Sequence, residues 1–184
     1  LVHGPLKVPN EWLEGINTLK VNSGAEMQLK LREIKSKADV IVMAAAICDI
    51  RCDKHKQIKK LKKESLISHL TNSLEPVPDL LHDLVSTRTN AQVILGFSAL
   101  TGSDQEIQKI GRQKMENKGC DLLLANPIDR EGQGFDRTCN GGWLIGQEGF
   151  VQEIPVTSKL ILAHKLLDTL LEQQIQANST SEAT

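Results

Sequence analysis

Three short apolar runs, separated by stretches with the periodicity of helices, constrain the fold of this chain most. The runs cover residues 39–43, 92–97 and 121–125, and small or polar residues follow each of them. Between the runs, apolar residues recur every three or four positions, as on one face of a helix. Alternating strands and helices are typical of a parallel sheet that helices cover on both faces. We therefore predict an α/β fold with a doubly wound, mostly parallel, Rossmann-like sheet.

The last third of the sequence departs from this alternation. Residues 142–154 predict a terminal β-hairpin followed by a helix, and the small polar residues 178–184 predict a disordered tail. Residues 66–75 alternate loosely, which predicts an extended segment. Because the 184 residues contain neither an internal repeat nor a linker, we predict one domain over 1–177.

Two predicted helices begin with the residues of a capping box. Ser23 is followed three positions later by Glu26, and Ser103 is followed in the same way by Glu106. Gly119 is the expected stop of the second helix, since glycine tolerates the left-handed conformation at a helix end.

Charge and cysteine content exclude several classes of function. The formal net charge of −1 gives no global attraction to nucleic acid or to a membrane surface. No segment approaches the roughly 18 consecutive apolar residues of a membrane-spanning helix. The four cysteines predict unpaired thiols in a reducing, cytoplasmic compartment. Cys48 and Cys52 lack a second pair of ligands, so we expect no metal site.

The ends of the predicted strands are the expected ligand site. Ligands of doubly wound sheets bind beyond the carboxyl ends of the strands, which are here residues 44–49, 96–101 and 125–129. Beyond the first of these ends, six lysines fall within ten positions: Lys54, Lys56, Lys59, Lys60, Lys62 and Lys63. A cationic loop suits a multiply charged anion such as a nucleoside triphosphate. The alternative is a solvated lysine loop after an ordinary core strand.

Seven segments, in chain order, resemble motifs of the phosphopantothenoylcysteine synthetase family. They are residues 1–9, MAAAICD at 43–49, KLKK at 60–63, VPDLL at 77–81, GFSALT at 96–101, KMENKGCDLLLAN at 114–126, and Gly134-Phe135 with Asn140. Their counterparts in the family are a strand that ends in His/Ser-Gly-Pro, AAAVAD, K-[IL]-x-K, NPDIL, GFAAET, a K-x-x-x-K-x-x-D block that ends in Ala-Asn, and GFxSDxN. The resemblance extends over almost the whole chain.

The resemblance implies a ligase of coenzyme A biosynthesis. Members of the family activate the carboxylate of 4'-phosphopantothenate with a nucleoside triphosphate, CTP or ATP, together with Mg²⁺, and then join it to cysteine through an amide. Members are usually dimeric, so a homodimer is implied. FMN is not expected, since the flavin belongs to a separate decarboxylase half.

The resemblance also implies which residues bind the nucleotide. They are Ala44, Ala45, Ala46, Asp49, Lys60, Pro78, Asp79, Leu80, Leu81, Phe97, Lys114 and Lys118. Of these, Lys60 is the implied catalytic residue, although the length of the loop also allows Lys59. The alternatives stay open: Phe97 as a core residue, Asp49 as a turn residue, and Lys114 with Lys118 as a solvated pair on a helix.

The sequence departs from the family pattern at several positions. Family members have a first strand and a glycine-rich loop before the point that matches Leu1, and most phosphopantothenate-binding residues are expected there. The acid of GFAAET is Leu100, the aromatic residue after the aspartate is Ile50, and Thr138-Cys139 replace Ser-Asp. Three hypotheses follow: a ligase domain, a nucleotide-binding or subunit-interaction module without catalysis, and an unrelated α/β domain that binds another anion. The absence of a GxGxxG motif from the sequence counts against the last of these hypotheses.

Overall fold

A computed structural model describes residues 1–53, 66–89, 92–134 and 136–181 of the chain. The chain falls into two compact units. The small unit consists of Leu1–Leu31 and Ala45–Leu80, and the sheet unit consists of Arg32–Ala44 and Leu81–Thr184.

The described residues contain nine strands and five α-helices. The strands are β1 (Val2–His3), β2 (Leu19–Lys20), β3 (Val40–Met43), β4 (Ile50–Cys52), β5 (Leu74–Pro76), β6 (Val93–Leu100), β7 (Leu122–Pro127), β8 (Cys139–Gly146) and β9 (Val151–Ser158). The helices are α1 (Gly24–Ile34), α2 (Leu66–Ser73), α3 (Leu80–Ser86), α4 (Asp104–Lys118) and α5 (Lys159–Ser181). Short 3-10 turns lie at Asn10–Leu13, Lys35–Lys37 and Gln147–Gly149.

The sheet unit is built on five strands in the order β3-β6-β7-β8-β9. β3, β6 and β7 are parallel, whereas β8 and β9 are each antiparallel to the strand before them. The prediction of an α/β fold with a mostly parallel central sheet is therefore confirmed. The predicted hairpin is formed by β8 and β9.

The two faces of the sheet bury different apolar residues because side chains alternate along a strand. On one face Val93 and Leu95 of β6 join a buried cluster with Leu162, Leu166 and Leu170 of α5. We call this the α5 face.

On the other face, glycines let helices approach the strands closely. A Cβ atom on Gly96 would lie 2.7 Å from Leu81 Cδ2 of α3, and one on Gly111 of α4 would lie 2.6 Å from Ile145 Cδ1 of β8. We call this the α4 face.

The ends of α4 follow the sequence signals. The Ser103 side chain accepts a hydrogen bond from Glu106 N, and the Glu106 carboxylate accepts one from Ser103 N, which completes the predicted capping box. Gly119 adopts φ +72° directly after the helix. Two orphan donors at the helix start therefore have partners.

The small unit contains two sheets of two strands each. β1 and β2 are parallel, and β4 and β5 are antiparallel. The predicted start of α1 is confirmed, since Glu26 N donates to Ser23 Oγ at 3.2 Å. The extended segment predicted over 66–75 is wrong at 66–73, where α2 lies. The same residues also satisfy helical spacing, and Thr71 Oγ1 donates to the Ile67 carbonyl one turn earlier.

Helix α5 is the last element of the sheet unit. α5 is helical to Ser181, so it extends into the polar segment 178–184 for which the sequence predicts disorder. Within the described ranges, no helix combines the length and the apolar character that crossing a membrane requires.

Candidate functional site

The carboxyl ends of β3, β6 and β7 lie at the same edge of the sheet, because these strands are parallel. Two hydrogen bonds join the ends of β6 and β7. Ile128 N donates to the Leu100 carbonyl, and Gly102 N donates to Asp129 Oδ2, both at 2.9 Å. This edge of the sheet unit is therefore fixed by backbone and side-chain bonds, as a ligand platform requires.

An exposed apolar surface lies next to this edge on the α5 face. It consists of Val42, which is 44% exposed, Ala44, the half-buried Phe97 and the exposed Ala99. Phe97 packs against the buried cluster of the α5 face on one side. We call these four residues the strand-end shelf. Its alanines leave the backbone open to a large ligand, and its one aromatic ring offers a stacking surface.

Two predicted residues therefore come together in the sheet unit, Ala44 and Phe97. Phe97 is not fully buried, although it packs against the core. The ring contacts the core and is also accessible.

The other predicted residues of the sheet unit lie on the opposite face. Leu81 is buried and packs over Gly96. Lys114 is exposed and Lys118 is partly buried, one turn apart on α4. α4 begins at the carboxyl-end edge and runs back toward the start of β7, so Lys114 lies about 15 Å along the helix from Asp104. The two lysines are thus separated from the strand-end shelf by the sheet and along the helix axis.

The predicted residues of the small unit gather around the β4–β5 pair. Val77 N donates to the Asp49 carbonyl at 2.8 Å, so Asp49 lies beside the chain that leads to Pro78 and Asp79. Asp49, Pro78 and Asp79 are exposed. Leu80 is buried, with 3% of the residue exposed, and is a core residue. Ala45 and Ala46 are exposed as well.

The catalytic candidate Lys60, its alternative Lys59 and the other lysines of the loop lie outside the described residues, as does Phe135. Their predicted roles stay predictions.

Asn126 lies in the predicted strand-end segment 125–129, but the sequence assigns it no role of its own. Asn126 pairs with Ala99 across β6 and β7 and is 8% exposed. By the alternation of β7 its side chain belongs to the α5 face, beside the strand-end shelf. Its sequence signal is a polar residue that closes an apolar run.

Two titrating groups near α4 have shifted pKa values. Hydrogen bonds from the side chain and the backbone of Ser103 hold the pKa of Glu106 below its usual value. Burial raises the pKa of the Cys120 thiol to about 11. Cys120 is 0% exposed, so this thiol is a small core residue and not a nucleophile.

A concavity lies at the hairpin of β8 and β9. It has a volume of about 60 Å³ and is lined by Pro127, Arg130, Gln133, Trp143 and Glu153 among others. The Arg130 guanidinium lies 5.4 Å from the centre of the Trp143 ring. This volume is well below the roughly 300 Å³ at which small-molecule pockets begin, so it is too small for a nucleotide.

The comparisons with known proteins agree on one family. Residues 1–174 match the model of the DNA/pantothenate metabolism flavoprotein C-terminal domain. A relative from Vibrio cholerae, the coenzyme A biosynthesis bifunctional protein CoaBC, is 30% identical over 173 residues, which is 94% of this chain and 42% of the relative. The protein of the same name from Bacillus subtilis is 26% identical over 182 residues, 98% of this chain and 43% of the relative. The chain thus spans about two fifths of the length of these relatives.

Solved structures have the same fold. The C-terminal domain of a CoaBC protein superposes with a TM-score of 0.70 at 22% identity, covering 95% of this chain and 75% of that domain. A mutant of Cab2 in complex with phosphopantothenate-cysteine gives a TM-score of 0.64 at 15% identity, covering 94% of this chain and 57% of that one. At such identities the likeness shows the fold alone.

Proposed function

Because the chain belongs to the family of DNA/pantothenate metabolism flavoprotein C-terminal domains, we propose that it is a phosphopantothenate–cysteine ligase domain of coenzyme A biosynthesis. The family match over residues 1–174 carries this proposal. It is supported by relatives named as coenzyme A biosynthesis proteins and by a structural neighbour that binds phosphopantothenate-cysteine.

The proposed reaction has two steps. The carboxylate of 4'-phosphopantothenate attacks the α-phosphorus of CTP or ATP, which forms an acyl-nucleotide and releases pyrophosphate. The amine of cysteine then attacks the acyl carbon, the amide bond forms, and the nucleoside monophosphate leaves with the bonding electrons. Positioned cations would stabilise the charge that develops on the phosphate oxygens in the first step.

The strand-end shelf is the proposed place of the nucleoside. Phe97 would stack on the base, and Ala44 would let the base approach the strand end. Ala45, Ala46 and Asp49 would contact the base and ribose region, a role that rests on the family motif. The exposure of Ala44 and Asp49 and the half-buried state of Phe97 support these roles, since each side chain is accessible in its own unit.

Lysines are the proposed partners of the phosphates. Lys60 would be the catalytic residue, and Lys114 and Lys118 would be further phosphate contacts. The backbone of 78–81 at the start of α3 would lie beside the triphosphate. Lys114 and Lys118 lie on the α4 face, away from the strand-end shelf. Their assignment as phosphate contacts is therefore the one that most needs an experimental test.

Mg²⁺ would enter with the nucleotide. Among the residues that the structure describes, no three His, Cys, Asp or Glu side chains are grouped so as to hold a metal ion. Mg²⁺ commonly binds through substrate phosphates with few protein ligands. Bound in this way, it would neutralise charge on the triphosphate.

The remaining proposals concern the molecule as a whole. We propose a cytoplasmic homodimer that takes 4'-phosphopantothenate, cysteine and a nucleoside triphosphate as substrates and carries no FMN. Neither nucleic acid nor a membrane is a proposed partner, since the net charge of −1 attracts neither.

Pyrophosphate release tests the proposal. The chain, with Mg²⁺ and CTP or ATP, should release pyrophosphate only when 4'-phosphopantothenate is added. Lys60→Ala should lower this rate about a hundredfold or more, as loss of a transition-state contact does, with little change in Tm. An unchanged rate in Lys60→Ala would reject the catalytic role of this lysine.

Nucleotide affinity tests the α4 lysines. Lys114→Ala should raise the nucleotide Kd about tenfold, because one charge-assisted contact is lost. Lys109→Ala is the matched control, since Lys109 is also exposed on α4 and has no proposed role. Equal effects of the two substitutions would remove Lys114 from the site.

A second candidate function is a nucleotide-binding or subunit-interaction module without catalysis. Leu100 favours it, because this residue replaces the acid of the family motif and is 8% exposed, as a core residue is. Such a module would bind CTP or ATP with Mg²⁺ and would release no pyrophosphate in the presence of 4'-phosphopantothenate.

A further inference from the structure

The concavity at the hairpin of β8 and β9 is lined by a buried polar atom without a partner. Gln133 is 6% exposed, and its Oε1 atom accepts no hydrogen bond from the described residues. An unpaired buried acceptor costs free energy, so nearly all buried polar groups in native proteins have a partner. An acceptor that the chain leaves open therefore indicates a donor from outside the chain.

Two further side chains define the chemistry of the concavity. Trp143 of β8 and Glu153 of β9 are cross-strand partners, so their side chains lie on the same face of the sheet. Trp143 is 5% exposed, whereas Glu153 is exposed. No residue in the described ranges donates a hydrogen bond to the Glu153 carboxylate. The concavity thus combines an aromatic ring with two acceptors that are open to a ligand.

The charge of the concavity selects the kind of ligand. Among the described residues, its lining contains two charged side chains, Arg130 and Glu153. The Arg130 guanidinium is paired with the Asp104 carboxylate and lies over the Trp143 ring, so its charge is compensated. The Glu153 carboxylate keeps one uncompensated negative charge. A cation with N–H donors matches this carboxylate, whereas an anion would be repelled by it.

We infer that the concavity binds a primary ammonium group. One N–H would donate to Gln133 Oε1 and a second to the Glu153 carboxylate, while the cation would lie beside the Trp143 ring. A volume of about 60 Å³ holds only a small group, such as an ammonium nitrogen with its first methylene groups. Trp143 lies on the α4 face, as Ile145 does two residues later, and thus opposite the strand-end shelf. The inference therefore does not rest on the proposed ligase reaction.

The fluorescence of Trp143 tests the inference. The sequence contains two tryptophans, and Trp12 is 70% exposed, so Trp12→Phe in the whole chain leaves Trp143 as the reporter. At constant ionic strength, n-propylammonium should change its emission with a Kd on the order of 1 mM, within the affinity that so small a ligand can reach. Tetramethylammonium has no N–H donor and should bind at least tenfold more weakly, and K⁺ should not compete. No binding, or equal binding of the three cations, would overturn the inference.

Two substitutions and a control locate the bound group. Glu153→Gln and Gln133→Met should each raise the Kd of n-propylammonium about tenfold, because each weakens or removes an acceptor. Gln133→Met should not lower Tm, since the amide oxygen has no partner to lose. Glu148→Gln is the matched control, because Glu148 is exposed on the same hairpin and does not line the concavity. Equal shifts of Kd in Glu153→Gln and Glu148→Gln would contradict the site.

A peptide distinguishes the two sources of a primary ammonium group, a small free amine and a lysine side chain. β9 is the last strand in the order of the sheet, so an extended segment can add hydrogen bonds along its outer edge. A blocked pentapeptide with a central lysine should bind at least tenfold more tightly than n-propylammonium if a lysine is the natural ligand, and no more tightly if a small amine is. Acetylation of the lysine should abolish binding in both cases. Equal binding of the acetylated peptide would show that the ammonium group is not recognised.

Discussion

The sheet unit and the small unit use their apolar residues in different ways. Every residue of β7 is buried, and β6 is buried except at Phe97 and Ala99. In the small unit, the short strands and the turn at Asn10–Leu13 leave large apolar side chains exposed, among them Trp12 at 70% and Ile50 at 58%. Burial of apolar area dominates folding free energy, so most of the stability of the chain resides in the sheet unit.

The difference has a consequence for local opening. Segments with few buried apolar contacts open at lower free energy than core strands do. We therefore expect the backbone amides of β1, β2, β4 and β5 to exchange with solvent well before those of β6 and β7. Substitutions should therefore change the free energy of unfolding strongly in the sheet unit and weakly in the small unit.

The largest effect is expected at Gly142 of β8. This glycine has φ +142°, and a Cβ atom on it would lie 2.3 Å from the Ala125 carbonyl oxygen of β7. Gly142→Ala should therefore cost about 4 kcal/mol, the sum of a strained backbone and a forced separation of two paired strands. Denaturant unfolding followed by far-UV circular dichroism would measure it.

Gly4 of the small unit provides the matched control. A Cβ atom there would meet no atom within 4 Å, so Gly4→Ala should change the free energy of unfolding by less than about 0.5 kcal/mol. Similar costs for the two substitutions would show that the core is not concentrated in the sheet unit.

The same contrast explains which elements the sequence predicts. Long buried strands and capped helices have strong local patterns, so 92–97, 121–125 and the start of α4 agree with the structure. α2 was predicted as extended because its pattern satisfies both a period of two and a helical period. Short segments of this kind are decided by tertiary contacts and not by local preference.

The candidate site is harder to predict than the fold. Sequence reasoning selected Phe97 and Lys118 for one site, and the strand alternation of β6 and the course of α4 place them on opposite faces of the sheet. Asn126 lies in the predicted strand-end segment 125–129, and only the pairing of β6 with β7 places its side chain beside the shelf. Sequence order fixes which strand a residue belongs to, whereas register and face come from packing.

The next effect in size is a pH dependence that belongs to the sheet unit. Burial raises the pKa of Cys120 from 9.0 to about 11. The unfolded thiol ionises first, so stability is complete below pH 9 and is lost as the pH rises toward 11. The loss is about 2 to 3 kcal/mol for a shift of this size. Unfolding curves at pH 8 to 11 would measure it, and Cys120→Ala should flatten this dependence.

The exposed thiols of the small unit sharpen this test. Cys48 and Cys52 are exposed, so a thiol reagent should modify both in the native state. Cys120 should react only on unfolding. Modification of Cys120 at the rate of Cys48 would mean that the centre of the sheet opens as readily as the small unit.

The smallest effect compares the two helix starts, one in each unit. In α4 the Glu106 carboxylate accepts bonds from both Ser103 N and Ser103 Oγ, whereas in α1 Glu26 Oε2 accepts from Asn22 N, one residue before the cap. Ser103→Ala should lower the free energy of unfolding by about 1 kcal/mol. Ser23→Ala should lower it by less, because the Ser23 hydroxyl makes a single hydrogen bond, which it accepts from Glu26 N.

The dependence of unfolding on acidic pH provides a second test of the bonds at the start of α4. The pKa of Glu106 is lowered by its bonds to Ser103, so the stability that this carboxylate contributes is present above its unfolded pKa and is lost as the pH falls through the folded one. Glu106→Gln should therefore remove part of the acid dependence of unfolding, and Ser103→Ala should remove the larger share of that part, because the Ser103 backbone N–H still donates to Glu106. If Ser103→Ala left the acid dependence intact, the reciprocal bonds would not be what anchors the start of α4, and the greater order of the sheet unit would have to come from its strands alone.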